Sequence, residues 1–100
     1  MRMTVTRPVR ASVEDQVTHL RGRITWLDAQ LIRLFKLRAR LARRVILLRV
    51  SAGGPRLDLD RERQVINQYT GSLGRAGCQL ATLVLHESRG PMFTERRPEE

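Results

Sequence analysis

From Val13 to Leu48 apolar residues recur in alternating steps of four and three: Val13, Val17, Leu20, Ile24, Leu27, Leu31, Leu34, then Arg38, then Leu41, Val45 and Leu48. A repeat of that period predicts one long helix carrying a seam on which another helix packs. No proline interrupts it before Val50, and Gly22 is its only weak point, where a bend would fold the front of the helix back. A helix of about 39 residues is ~58 Å long at ~1.5 Å per residue. A compact chain of this size has a radius of gyration of only ~13 Å, so two short helices of the same chain cannot cover the seam. The simplest cover is a second copy in antiparallel, two-fold arrangement.

Arg38 alone breaks the series. A charge on an apolar seam must reach water along its own stem or meet an anion, because burial without a partner costs several kcal/mol. A second series interleaves with the first: Arg21, Ile24, Asp28, Leu31, Phe35, Arg38, Ala42, Val45, Arg49. A left-handed supercoil keeps Arg21, Arg38 and Arg49 near one seam. Arg38 and Arg49 stand ~16 Å apart along the axis, which leaves room for a dianion of roughly 8 to 10 Å between two long side chains. Arg21 is ~25 Å from Arg38 on the same helix, out of reach of a shared small ligand. An antiparallel partner would bring its own Arg21, giving two equivalent pockets, each lined by both chains. Arg23, Arg33, Arg40, Arg43 and Arg44 read as ordinary solvated arginines.

The rest of the chain reads as loop, helix, turn, helix. Residues 1–11 and 91–100 are expected to be flexible ends around a domain spanning 12–90. Ser12 with Asp15 three residues later is a plausible start of the long helix. Ser51-Ala52-Gly53-Gly54-Pro55 stops it near Val50. Asp58 can cap a second helix of about 59–70, and Gly71, Gly74 and Gly77 punctuate the stretch after it. A third helix is expected near 76–89, with Leu80, Leu83, Val84 and Cys78 facing inward. The fold class is therefore all-α: one long and two short helices, associating as an intertwined homodimer.

Within Asp58-Leu59-Asp60-Arg61-Glu62-Arg63 the first residue caps, while Arg61 and Glu62 occupy the opening turns, where free backbone N–H groups and side chains can meet a ligand. Glu62 is placed to accept a hydrogen bond from a hydroxyl. Basic residues number 19 against 10 acidic, a net charge of +9, and Lys36 is the only lysine. Such a field attracts phosphates, nucleic acids and carboxylates alike, so the placement of the charges has to choose among them. A single cysteine excludes an intramolecular disulfide and a cysteine-built zinc site, and fits a reducing cytoplasm. No apolar run is long enough for a bilayer, and Met1 to Arg10 lack the hydrophobic stretch of a signal peptide, so a soluble cytoplasmic protein without membrane association is expected.

Over roughly residues 20–90 the sequence resembles the all-helical class of chorismate mutases, in particular its short, single-domain actinobacterial branch. The resemblance is carried by Leu20-Arg21-x-x-Ile24-x-x-Leu27-Asp28, by Arg38 in the middle of helix 1, by Arg49 near its end, and by Asp58-x-Asp60-Arg61-Glu62 opening helix 2. It implies an intertwined homodimer that converts chorismate to prephenate by Claisen rearrangement, a step toward phenylalanine and tyrosine, without any cofactor. It further implies that Arg21 of the neighbouring subunit binds one substrate carboxylate and Arg38 of the same chain the other. Arg49 would contact the ether oxygen and a carboxylate, Asp58, Arg61 and Glu62 would hold the hydroxyl-bearing side of the ring, and Ser88 would line the pocket. Many relatives place a glutamine one turn after the Ser88 position to donate to the ether oxygen. Here Gly90-Pro91 end the helix and Met92 stands there. Some short relatives reach full activity only with a partner, the first enzyme of the shikimate pathway (DAHP synthase), which orders their C-terminal segment.

A pericyclic reaction needs no nucleophile and no proton transfer, consistent with the lack of a Cys-His or Ser-His-Asp pattern; His19 and His86 read as structural or surface residues. Within the family, isochorismate-pyruvate lyases generally lack the Asp-Arg-Glu start of helix 2, and mutases of 4-amino-4-deoxychorismate differ around the ring substituent, where Glu62 favours a hydroxyl without excluding an amine. A catalytically silent regulatory homologue is a further alternative. From a different class, a basic helical nucleic-acid-binding protein would account for the charge. Against it, the candidate arginines follow an inward seam and no cluster of base-stacking aromatics accompanies them, so no nucleic-acid partner is expected.

Overall fold

The computed structural model describes residues 9–89, with side chains from Ser12 onward. The expectations for residues 1–8 and for the tail from Gly90, Met92 included, lie outside the described residues. Those described form three helices and no strand: α1 (Val9–Ser51), α2 (Leu59–Leu73) and α3 (Arg75–Arg89). The all-α reading with one long and two short helices therefore holds. Residues 9–11 are helical rather than irregular, and Ser12 lies inside α1 instead of capping it. The clash of a proline ring falls on the turn before it, so Pro8 leaves Arg10 and Ala11, both good helix formers, free to extend the helix. α1 also runs through Gly22 without ending there.

The chain divides into two units, Met1–Leu34 and Phe35–Glu100. In the first, no described side chain is buried. Val13, Leu20, Ile24, Leu27, Leu31 and Leu34 of the seam are between 48% and 64% exposed. A stripe of this kind gains its stability from packing that the single chain does not supply.

The second unit has a core between α2 and α3. Val65, Ala81 and Leu85 are buried together, with Ile66 and Tyr69 packed against them. The buried residues of α3 are Gly77, Ala81, Val84, Leu85, Glu87 and Ser88. Leu80, Leu83 and Cys78, expected to face inward, are exposed instead. Small residues explain the change of phase: a Cβ built on Gly77 would collide with the carbonyl oxygen of Tyr69, so the helices approach backbone to backbone where no larger side chain fits. Gly71 and Gly77 lie inside helices, and of the three glycines only Gly74 marks a boundary, as the C-cap of α2.

Between α1 and α2 the chain reverses tightly. The N–H groups of Ala52 and Gly54 donate to the carbonyl of Arg49, at 3.2 and 2.7 Å. Gly53 takes φ 87°, a left-handed conformation that costs glycine nothing and any other residue strain. Asp58 caps α2 as expected: its Oδ1 accepts the N–H of Arg61 at 3.1 Å, while Oδ2 accepts from Nη1 of Arg49 at 2.9 Å. α2 runs past the expected end at residue 70, because Gly71 weakens a helix without stopping it.

The close approach at Gly77 and the cap at Asp58 can each be tested. Gly77→Ala lowers stability by about 1 to 3 kcal/mol through overpacking, whereas Gly71→Ala, with nothing within 4 Å of its added Cβ, gains up to about 1 kcal/mol. Thermal unfolding at fixed protein concentration reads both. The backbone N–H of Arg61, and after it the Arg49 guanidinium, hold the Asp58 carboxyl below its usual value. Its charge therefore contributes stability fully above about pH 4 and loses it as pH falls through the lowered folded value. Asp58→Asn, which keeps a capping acceptor, is expected to be less stable than the parent by a constant margin above about pH 5, and that margin should shrink on acidification below the usual carboxylate range. A margin that grew toward low pH would contradict the assignment.

Candidate active site

Within the second unit, the later turns of α1, the loop and first turns of α2, and the last turn of α3 enclose a cavity of about 290 Å³. That is near the lower end of small-molecule sites, roughly 300–1,000 Å³. Its apolar lining comes from Leu41, Ala42, Val45, Val65 and Leu85. The polar lining brings together six of the residues singled out from sequence: Arg38, Arg49, Asp58, Arg61, Glu62 and Ser88. Arg21, the seventh, is exposed on α1 in the first unit and is not part of this lining.

Arg38 shows how a charge is accommodated on the seam. It is half-buried beside seam residues Leu41 and Val45 of the same lining, and its Nη1 donates to Oγ of Ser88 at 3.1 Å. Ser88 in turn donates to the carbonyl of Val84 at 2.9 Å, one turn back in α3. Among the described lining residues the one hydroxyl is thus committed to a carbonyl and accepts from a guanidinium. Nucleophilic catalysis from Ser88 has no support in this geometry. Among the described residues, no group of three or more His, Cys, Asp or Glu could hold a metal ion.

Two lining arginines were not singled out from sequence. Arg89, the last residue of the expected third helix, donates from Nε to Glu62 Oε2 at 3.1 Å and from Nη2 to Oε1 at 2.5 Å. Arg56 of the loop donates from Nη2 to the carbonyl of Arg89 at 2.7 Å. A signal for Arg89 was present in the sequence: it lies four residues after Leu85 and eight after Ala81, on the buried face of α3. Arg43, expected to be merely solvated, is half-buried and reaches the carbonyl of Glu87 at 3.3 Å. Arg23, Arg33, Arg40 and Arg44 are exposed, as are His19 and His86.

The electrostatic balance comes from these contacts. Five arginines and two carboxylates line the cavity, an excess of three positive charges. Both carboxylates are already paired, Asp58 with Arg49 and Glu62 with Arg89. The other three arginines donate to neutral oxygens: Arg38 to Ser88, Arg56 to a backbone carbonyl, and Arg61 to Oε1 of Gln64 at 3.3 Å. Such a site takes an anion, preferably one with more than one negative charge, set against an apolar wall.

Known proteins with this helical arrangement agree in kind. An intracellular chorismate mutase of Mycolicibacterium smegmatis is 36% identical over 83 residues, covering 83% of this chain and 80% of that protein. One from Mycobacterium tuberculosis is 39% identical over 75 residues, covering 75% and 70%. A chain of the solved non-covalent complex of DAHP synthase and chorismate mutase from Corynebacterium glutamicum, with bound transition state analog, superimposes with a TM-score of 0.75 at 31% identity, covering 78% of this chain and 94% of that one. The family model for chorismate mutase type II matches residues 20–83, a span that contains Arg21, Arg38, Arg49 and the acid-capped start of α2. With sequence, fold and a cavity suited to a dianion in agreement, the chain belongs to the chorismate mutase type II family.

Proposed function

We propose that this chain, an isomerase of the chorismate mutase class, converts chorismate to prephenate in a site completed by a second copy of itself. The observation that carries this reading is the charge balance of the cavity: both acids are paired, and among the described residues three further arginines donate to neutral oxygens. Chorismate is a dicarboxylate with an apolar ring edge, and rearranges only when its enolpyruvyl ether is folded over the ring. Holding both carboxylates enforces that shape, an orientation effect worth on the order of a few kcal/mol.

Arg38 binds one carboxylate, keeping Ser88 as its neutral support. Arg21 of the second copy binds the other. Arg49 uses only Nη1 for Asp58, so its remaining donors can reach the ether oxygen, where negative charge grows as the C–O bond breaks. A donor so placed contributes roughly 3 to 4 kcal/mol to the transition state. Asp58, Arg61 and Glu62 form the end that receives the ring hydroxyl.

The exposed seam supports the association. Leu41, Val45 and Leu48 continue it into the second unit at 51% to 66% exposure, a stripe that an antiparallel second copy would cover. DAHP synthase is the further partner in this reading, since the structural neighbour comes from its complex with chorismate mutase. A cytoplasmic location fits relatives named intracellular, and among the described residues no helix is long and apolar enough to cross a membrane.

Purified protein incubated with chorismate is expected to form prephenate, faster when DAHP synthase is added; no conversion in either condition would remove the proposal. Arg49→Ala should lower kcat by about 10² to 10³ with little change in KM, and Arg38→Ala should affect both constants. Mixing inactive Arg21→Ala and Arg38→Ala proteins should regain activity, because a mixed dimer holds one site with both arginines intact. Failure of that mixture, with subunit exchange verified, would argue against a shared site.

A further inference from the structure

The contact between Glu62 and Arg89 is the tightest ion pair described in the cavity, and its cationic half lies beyond the family-matched span of residues 20–83. Nε and Nη2 of Arg89 each take one oxygen of Glu62, a bidentate fork that leaves one lone pair on each oxygen for a ligand. The carboxylate is the more enclosed partner, its side chain 19% exposed against 38% for the arginine. Arg56 holds the Arg89 carbonyl, so the backbone from which the fork projects is fixed as well.

We propose that Arg89 is a positioning residue that sets ligand specificity: by neutralising Glu62, it makes this end of the cavity prefer a ring hydroxyl to a protonated ring amine. The inference rests on the reading that Glu62 receives the ring substituent of chorismate. A hydroxyl needs only an aimed lone pair, which the fork supplies by fixing the plane of the carboxylate. An ammonium group needs uncompensated negative charge. Here it meets an already neutralised acid, and the desolvation of its own charge goes unreturned. Without Arg89, Glu62 would offer that charge.

The test compares KM for chorismate with the inhibition constant of 4-amino-4-deoxychorismate, in the presence of DAHP synthase, for the parent, Arg89→Met and Arg89→Lys. Arg89→Met keeps the apolar stem and removes the fork. It is expected to shift the ratio of the two constants about tenfold toward the amine, the gain of one charge-assisted hydrogen bond. Arg89→Lys should restore much of the preference for the hydroxyl. In a Glu62→Gln background, Arg89→Met should leave the ratio unchanged, since the effect passes through Glu62. If Arg89→Met proves unfolded by circular dichroism, Arg89→Gln carries the same expectation.

Equal weakening of both ligands would mean that Arg89 only braces the fold, and would overturn the inference. An unchanged ratio in a parent that turns over chorismate would overturn it too, leaving the functional reading intact. A parent that converts no chorismate removes both together.

Discussion

The last turn of α3 is where the charges of the other elements must gather. A helix C-terminus presents carbonyl oxygens with no partner within the helix and a partial negative charge. Here arginines meet it from two directions: Arg43 of α1 on the carbonyl of Glu87, and Arg56 of the loop on that of Arg89. Arg38 adds the hydroxyl of Ser88, and the Arg89 side chain closes back onto α2 through Glu62. These contacts tie three separate stretches of chain to one turn, and the cavity is the space among them. The small residues beneath, Gly77 and Ala81, allow α2 and α3 to come close enough for the Glu62–Arg89 fork to form.

That arrangement decides what the cavity can accept. A guanidinium bonded to one neutral oxygen keeps donors for a carboxylate, and the charge-assisted hydrogen bond so added is roughly twice as strong as a neutral one. Arg38, Arg56 and Arg61 are all in that state. Arg49 is different, being held by Asp58, but a guanidinium has five donors and Asp58 engages it through one nitrogen. A dianion can therefore enter without breaking an internal ion pair, and the acids that position the site do not repel it. Arginine suits this use better than lysine: it keeps its charge when half-buried, and only a planar fork can grip a carboxylate at two points.

Much of this was legible in the sequence where a single residue type had a single physical use. The four-three seam predicted α1, and the break at Arg38 located the cavity. Asp58 before a charged run predicted the cap of α2. On α3 the reading failed where hydrophobicity misled. Leu80 and Leu83 outweigh Gly77 and Ala81 on any apolar scale, yet the buried face carries these small residues beside Val84 and Leu85, because α2 and α3 approach backbone to backbone at Gly77. Arg89 ends the expected third helix, just before Gly90-Pro91, and only its spacing from Ala81 and Leu85 puts it on the inward face. Arg56, in a loop rich in glycine and proline, had no periodicity to expose it.

Arg38, Leu41 and Val45 belong both to the seam and to the cavity lining. On the proposed dimer one face of α1 therefore serves both association and ligand binding, and the two cannot be adjusted independently. Replacing Arg38 by leucine would complete the apolar series and favour helix pairing while removing a cavity charge that the proposed reaction uses. The protein instead keeps a charge where a leucine would pack better, supported by one neutral hydrogen bond to Ser88. A seam interrupted at one point, with arginine neighbours at eleven residues on one side and seventeen on the other, makes sense when the interruption is itself the binding site.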